Sequence, residues 1–377
     1  MNRIFIITSL VVFSFQACAL KRTQERVILE KPEIDKRVEL ISIVFRLAGN
    51  WEYSSTSFQL YTDRIEQHFA EHRNHELIQF ARSIRNERGI GFDAPMLLAV
   101  HLDDNLNLLA DVSENVWQQD TRWTEEIVEK FVSLLQQFAK DTNFDDFFAN
   151  NTDLYAKTIE RFLPIYEQIN IKWFFSFFGQ EPSETFLIRL GVGNAIGYVP
   201  SNALLSNRAA NYGPSVNFIN GDRRVYAIMG VRGDDEGIPT FLEDIVLPIV
   251  IHEFAHSFVN HLIDKNIDAL RESGEKIFSV VEDKMRRQAY GHWITMMCEA
   301  LVRASVVMYL KDNDFAQEQI KTEINRQLEL GYFWIEELIA KLVYYSKNRN
   351  RYPTLESFMP RIIEGYRVWA ENIEAQQ

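Results

Sequence analysis

Residues 249–262 of the 377-residue chain read IVIHEFAHSFVNHL, an apolar stretch with two histidines four positions apart. In an α-helix, residues i and i+4 lie one above the other, so His252 and His256 face the same point. Glu253 is the only Asp, Glu, Lys or Arg in the stretch. A helix with so little charge on any face must be covered by other elements. The chain therefore has to build a core around these two histidines.

The three side chains match H-E-x-x-H, a pattern in which two imidazoles bind zinc and the glutamate acts as a base. We predict that His252 and His256 are ligands of one Zn²⁺ ion, because both present a ring nitrogen to the same side of the helix. Glu253 is turned about 100° from His252, which brings its carboxylate next to the metal without making it a ligand. The alternative interpretation is a pair of core histidines with satisfied hydrogen bonds beside a paired glutamate.

A second histidine pair, in the segment HFAEH at residues 68–72, matches the inverted form H-x-x-E-H. The two segments differ in their neighbours. Uncharged residues surround His252, as a dry metal site requires. Charged residues such as Asp63 and Arg64 surround His68. We therefore predict a solvated helix for the four residues His68, Glu71, His72 and His75.

A catalytic zinc ion usually has three protein ligands and a water. In the H-x-x-G-x-x-H extension the third ligand would be residue 262, which is a leucine here. The apolar run at 285–310 contains a single acidic residue, Glu299. A buried carboxylate needs a cation, so we predict that Glu299 is the third ligand. The alternative is a structural ion pair with Arg303 one turn later, and the two roles are compatible.

Several other residues are candidates for supporting roles. Arg303 or Asn260 is expected to hold a ligand in place through a hydrogen bond. Tyr290 or His292 is expected to donate a hydrogen bond to a developing oxyanion. Cys298 is expected to be a small core residue. The acidic residues that compete with Glu299 as ligands stand in a charged stretch typical of a solvated face, and they are Glu272, Glu275, Glu282 and Asp283.

The first twenty residues, MNRIFIITSLVVFSFQACAL, have the layout of a secretory signal. The uncharged run at 4–17 is too short to span a bilayer as a helix. Ala17 and Ala19 flank Cys18 as in an ordinary cleavage site, whereas FQAC resembles the motif that ends in a lipidated cysteine. We favour lipidation of Cys18. The mature protein is then an exported, membrane-anchored lipoprotein of the cell envelope, and with ordinary cleavage it is a secreted soluble protein.

Charge and cysteine content limit the partners and the means of stabilisation. The formal net charge of −13 argues against binding to nucleic acid or to an anionic membrane surface. We therefore expect membrane contact only through an N-terminal lipid. With Cys298 as the only other cysteine, no intramolecular disulfide forms in the mature chain.

Hydrophobic periodicity predicts an α+β fold that is predominantly α-helical. A helical N-terminal region extends over 32–170, after a signal peptide at 1–17 and a tether at 18–31. Short β-prone runs between 184 and 231 predict a small sheet, and helical patterning then continues to the C-terminus. The aromatic run WFFSFF, which begins at Trp173, is expected to lie in the core.

With two histidines, the intervening glutamate and a downstream helical glutamate, the sequence resembles the gluzincins, a group of zinc metallopeptidases. The combination of NYGPS (211–215), IVIHEFAHSFVN (249–260) and AYGHWITMMCEALVRA (289–304) more specifically resembles an uncharacterised family of secreted bacterial proteins predicted to be such peptidases. The likeness covers about residues 170–310. One departure is that CEALVRA lacks the Asn and Asp of the gluzincin form N-E-x-x-S/A-D.

The resemblance implies a zincin-like catalytic region over 171–377, with a small mixed β-sheet and an H-E-x-x-H active-site helix. It also implies hydrolysis of a peptide or protein substrate, which pairs with an edge strand expected within 224–231. Two other functions stay open. One is a non-catalytic zincin-fold lipoprotein that acts as a binding or structural module, and the other is a zinc hydrolase that acts on a non-peptide bond.

Overall fold

A computed structural model describes residues 28–180, 184–195 and 209–376. The fold is α+β and mostly helical with a small mixed sheet, which confirms the predicted class. The signal peptide, Cys18 and the first part of the tether lie outside the described residues.

The elements of the first half are mainly helices. These are α1 Lys36–Leu47, α2 Gln59–Phe69, α3 Glu76–Arg88, α4 Ala94–Val100, α5 Val116–Gln119, α6 Glu125–Asp141, α7 Phe144–Ala149, α8 Thr152–Glu167 and α9 Ile171–Phe178. The strands are β1 Ile28–Leu29, β2 Glu33–Ile34, β3 Glu184–Gly191, β4 Ser215–Asn217, β5 Arg223–Gly230, β6 Arg232–Gly233 and β7 Pro239–Thr240. The C-terminal helices are α10 Glu243–Asp264, α11 Ile267–Arg286, α12 Trp293–Asp312, α13 Gln317–Leu330, α14 Ile335–Lys347 and α15 Leu355–Gln376.

The main sheet joins both predicted regions. Its order is β1-β3-β5-β4, with β2 also paired to β3, and only β4 runs antiparallel. Ile28 and Leu29 pair with β3, so the tether predicted at 18–31 ends before residue 28. Because β1 and β2 precede the predicted boundary at residue 170 while β3, β4 and β5 follow it, the two regions share one sheet.

The edge strand expected within 224–231 is instead an interior strand. β5 pairs on one side with β3 and on the other with β4. Tyr212, just before β4, continues this pairing with Ile228. Residues 212–216 therefore form an antiparallel edge of the sheet next to β5, whereas the carbonyl of Asn217 accepts from the N–H of Ser113 on the other side.

The helix α10 lies against the sheet in the core, as its lack of charge predicted. Phe254 packs edge-on against Phe186 of β3, with ring centroids 4.9 Å apart. Phe258 stacks on Phe178 of the WFFSFF run at 4.8 Å. Five of the six residues in that run are buried, which confirms the predicted core position.

The other side of α10 packs against α12. Glu299 of α12 lies next to His252 and His256, whereas Leu310 lines the same small cavity as Leu247. The two helices therefore run antiparallel. Among the residues described, α10 and α12 have the length and hydropathy of a membrane span, but most of each apolar stretch is buried inside the fold.

Candidate metal centre

Two histidine nitrogens converge on the buried side of α10. The four-residue spacing places the rings of His252 and His256 one turn apart, and their Nε2 atoms are 3.1 Å from each other. The side chains are only 15% and 17% exposed. The helix thus directs both imidazoles to one shielded point.

Glu299 completes the group from α12. Its Oε2 atom lies 3.4 Å from Nε2 of His252, and its Oε1 atom lies 3.4 Å from Nε2 of His256. Ligands of a tetrahedral zinc ion at about 2.0–2.1 Å are about 3.3 Å from one another. In the part of the chain that the structure describes, these residues form the only group of three His, Cys, Asp or Glu side chains with metal-binding spacing. The geometry and donor types therefore fit a zinc ion.

Asn260 orients one of the histidines. The Nδ1 atom of His256 lies 3.1 Å from Oδ1 of Asn260, an acceptor. Nδ1–H therefore donates to the amide oxygen, which leaves Nε2 free to bind a metal. Asn260 therefore contacts His256, and its role in holding a metal ligand stays a prediction.

The electrostatics of the group favour a cation. Burial lowers the pKa of His256, but the hydrogen bond and charge of Glu299 outweigh burial and raise this pKa to about 9. Burial and the neighbouring positive charges hold the pKa of His252 well below its usual value, despite the charge of Glu299. The carboxylate therefore favours a positive charge at this point, which a proton or a zinc ion can supply.

Arg303 pairs with Glu299, which lies one turn earlier on α12. Its Nη2 atom is 2.9 Å from Oε2 of Glu299 and donates to the hydroxyl of Tyr290 at 3.0 Å. Burial raises the pKa of Glu299, but the positive charges of His252 and Arg303 outweigh burial and lower it well below its usual value. Oε2 has no donor in hydrogen-bond geometry among the described residues, so a lone pair remains for a metal.

Glu253 lies beside the group and is buried, at 8% exposure. Burial, with the charge of Glu299, raises the pKa of its carboxyl to about 7 although His256 lowers it. Gly213 packs directly on this residue, and a Cβ at position 213 would come within 2.7 Å of the Glu253 carbonyl oxygen. The contact with Gly213 was not expected from the sequence. The segment NYGPS contributes only to the family resemblance, because no local pattern in a sequence indicates which helix a loop glycine contacts.

The remaining candidates are not part of the group formed by His252, His256 and Glu299. His292 is exposed at the N-cap of α12, where its Nδ1 accepts a hydrogen bond from the backbone N–H of Ile294. It precedes Glu299 by seven residues, which is about 10 Å along a helix. Cys298 is a buried free thiol. The structure places the competing acidic residues on α11, outside the metal-binding group, and these are Glu272, Glu275, Glu282 and Asp283.

The inverted motif at 68–72 is not a continuous α-helix. α2 ends at Phe69, and His72 lies in a 3₁₀ turn that follows it. The Nε2 of His68 is 2.7 Å from the carbonyl oxygen of Thr142, and Nδ1 of His75 accepts from the N–H of Leu77. The prediction of one solvated helix is therefore wrong, because the chain turns between the two halves of the motif. His68 and His75 make local structural contacts.

The comparison with protein families classifies almost the whole chain. The family model described as "Domain of unknown function (DUF4932)" matches residues 31–365. The chain belongs to the DUF4932 family. Searches of the curated proteins and of the solved structures gave no match. The DUF4932 match includes the helical N-terminal region as well as His252, His256 and Glu299.

Proposed function

We propose that this DUF4932 protein is a zinc-dependent metallopeptidase of the cell envelope. The observation that carries the proposal is the convergence of His252, His256 and Glu299, whose donor atoms lie 3.1–3.4 Å apart in a buried place beside Glu253. Two core histidines with ordinary hydrogen bonds would not need a third, anionic group at metal-binding distance. The envelope location rests on the sequence of residues 1–20.

Each side chain has one role in the proposed reaction. His252, His256 and Glu299 hold the zinc ion. A zinc ion held there lowers the pKa of a bound water and polarises a substrate carbonyl. Glu253 accepts the proton of the attacking water and passes it to the leaving amine. Its burial under Gly213 excludes bulk water from the path of this proton.

The edge formed by residues 212–216 is the proposed binding surface for an extended peptide. The N–H and C=O of Tyr212 bond to Ile228 of β5, and the carbonyl of Pro214 accepts from the N–H of Tyr226. In an antiparallel strand, alternate residues point their backbone groups to opposite sides. The N–H and C=O of Gly213 therefore point away from β5, and this glycine packs on Glu253. A substrate strand that pairs with Gly213 places its backbone next to the base.

The departure from the gluzincin form has a structural counterpart. In N-E-x-x-S/A-D an aspartate stands four residues after the glutamate, and this chain has Arg303 there. The arginine pairs with Glu299 itself. The third ligand is thus held by a cation from its own helix, an arrangement that is compatible with metal binding because Glu299 remains a carboxylate.

The test compares metal content with cleavage. The wild-type protein is expected to bind one zinc ion per chain and to cleave members of a broad peptide library. Glu253→Gln is expected to keep the zinc and to lose cleavage by about 10²–10⁴-fold, the usual contribution of a general base. Glu282→Gln makes the same chemical change on α11, outside the metal-binding group, and is expected to behave as wild type.

Each result distinguishes between the candidate functions. A wild-type protein that binds no zinc would refute the metal centre. A zinc-bound protein that cleaves no peptide would favour the non-catalytic module, and cleavage of only non-peptide substrates would favour the other hydrolase. Unchanged cleavage in Glu253→Gln would remove the assigned base.

A further inference from the structure

The arginine that holds Glu299 is itself held by a third helix. Nη1 of Arg303 donates to Oε1 of Gln327 on α13 at 3.0 Å. Nε2 of Gln327 in turn donates to Oε1 of Glu323 at 2.5 Å. A continuous chain of polar contacts thus leads from Glu323 to Glu299, across two helices.

We propose that Gln327 is a positioning residue for the metal ligand Glu299, and that Glu323 sets the orientation of Gln327. The inference rests on the proposed zinc centre and concerns residues downstream of every motif noted in the sequence. Neither residue touches the metal or the substrate in this proposal. Both act through the guanidinium of Arg303.

The donor and acceptor types determine the direction of each hydrogen bond in the series from Glu323 to Arg303. A glutamine amide has one donor end and one acceptor end, whereas a carboxylate only accepts and a guanidinium only donates. The NH₂ group of Gln327 must therefore face Glu323, and its oxygen must face Arg303. Gln327 is completely buried, and Glu323 is 7% exposed, so water does not substitute for either partner. With both ends of the amide engaged, Gln327 has one orientation.

The guanidinium of Arg303 needs the side-chain oxygen of Gln327 in order to keep one orientation. Its Nη2 meets Glu299 and Tyr290, and its plane lies near the ring of Tyr332, at 5.2 Å from the centroid. Without the Gln327 oxygen, Nη1 would be a buried donor without an acceptor, and Arg303 would turn to satisfy it. Glu299 pairs with the other end of the same rigid group and would shift with it. Loss of an outer partner of a metal ligand typically weakens metal binding by about 10–100-fold.

The test measures zinc affinity by competition with a chelator, starting from the metal-free full chain. Gln327→Met keeps the length of the side chain and removes both hydrogen bonds, and we expect zinc binding about 10–100-fold weaker than in wild type. Glu323→Met removes the acceptor that fixes the orientation of the amide, and we expect an affinity between those of wild type and Gln327→Met. The double variant Glu323→Gln with Gln327→Glu restores an acceptor oxygen opposite Arg303, and we expect it to recover most of the affinity.

A matched control separates positioning from stability. Ile320 is buried on the same helix and lies outside this polar chain, so Ile320→Ala should lower the thermal stability of the metal-free protein and leave the zinc affinity unchanged. The absorption spectrum of bound Co²⁺ reports ligand geometry, and we expect it to change in Gln327→Met and not in Ile320→Ala.

The outcomes keep the two proposals distinguishable. If wild type binds no zinc, the proposed function fails. If wild type binds zinc and Gln327→Met binds it equally well, only the positioning role is overturned. Should Gln327→Met not fold, Glu323→Met decides, and wild-type affinity in that variant would overturn the inference.

Discussion

The substitution Glu299→Gln tests whether this carboxylate binds the metal or only pairs with Arg303. The two side chains are 7% and 11% exposed and 2.9 Å apart. An amide in place of the carboxylate leaves the arginine charge buried without a counter-ion. Breaking a buried pair in this way costs about 3–5 kcal/mol of the free energy of unfolding. This loss is expected without any metal.

Zinc should increase the difference in unfolding free energy between wild type and Glu299→Gln. At about 1000 times its Kd, zinc stabilises a protein that binds it only when folded by about 4 kcal/mol. A side-chain amide is not a usual zinc ligand, so Glu299→Gln should gain little of this stabilisation by zinc. The deficit should therefore grow to about 7–9 kcal/mol. At about 2 °C per kcal/mol for a large chain, Tm should differ by about 6–10 °C without zinc and about 14–18 °C with it.

Differential scanning calorimetry of chelator-stripped and zinc-loaded protein measures both differences. Glu282→Gln serves as the matched control, because Glu282 is outside the metal-binding group and its surface pair with Arg286 contributes little. An equal gain in Tm from zinc in wild type and Glu299→Gln would show that the carboxylate is not a ligand. The reasoning about the buried pair fails if the metal-free proteins have the same stability.

Two further predictions concern Gly213, which packs on Glu253, and Glu39, a buried carboxyl of α1. Gly213→Ala places a Cβ 2.7 Å from the Glu253 carbonyl oxygen. We therefore expect a loss of about 1–3 kcal/mol in unfolding free energy and reduced cleavage, measured by denaturant unfolding and a peptide assay. Gly291→Ala, in open space, should change stability by less than about 0.5 kcal/mol, and equal effects of the two would refute the close approach. Burial raises the pKa of Glu39 to about 7, although it accepts hydrogen bonds from Tyr61 and the Val192 N–H. Because the folded pKa exceeds the unfolded value, the free energy of unfolding of wild type should fall by about 3 kcal/mol relative to Glu39→Gln as pH rises from about 4.5 through 7. A difference between the two proteins that does not change with pH would contradict this.

The longer elements were predictable because their signals are local. The segment between 184 and 231, where short β-prone runs were expected, contains β3 and β5, and the helical periodicity of the N-terminal region is matched by α1, α2, α3, α6 and α8. The two-residue strands β1 and β2 were not predicted, and β1 was assigned to the tether. A strand of two residues has no periodicity of its own, and it exists here only because β3 offers hydrogen-bond partners.

The sequence also did not predict the interior position of β5 in the sheet. A β-prone run does not show which neighbours it will have, and the segment that covers β5 has only three residues in β4. Similarly, the inverted histidine motif matched a helical spacing, while the structure turns at Phe69. In both cases a local pattern allowed more than one arrangement in space.

The sequence by itself determined the pairing of His252 with His256, because the pitch of an α-helix places residues four apart on one face. It also singled out Glu299, since one acidic residue in a long apolar helix needs a cation. Only the tertiary structure decided that α10 and α12 run antiparallel at a height that brings the carboxylate within 3.4 Å of both rings. The support of Arg303 by Gln327 and the cover of Glu253 by Gly213 were decided there as well. Such contacts join residues far apart in the chain, and their distances depend on how all the intervening side chains pack.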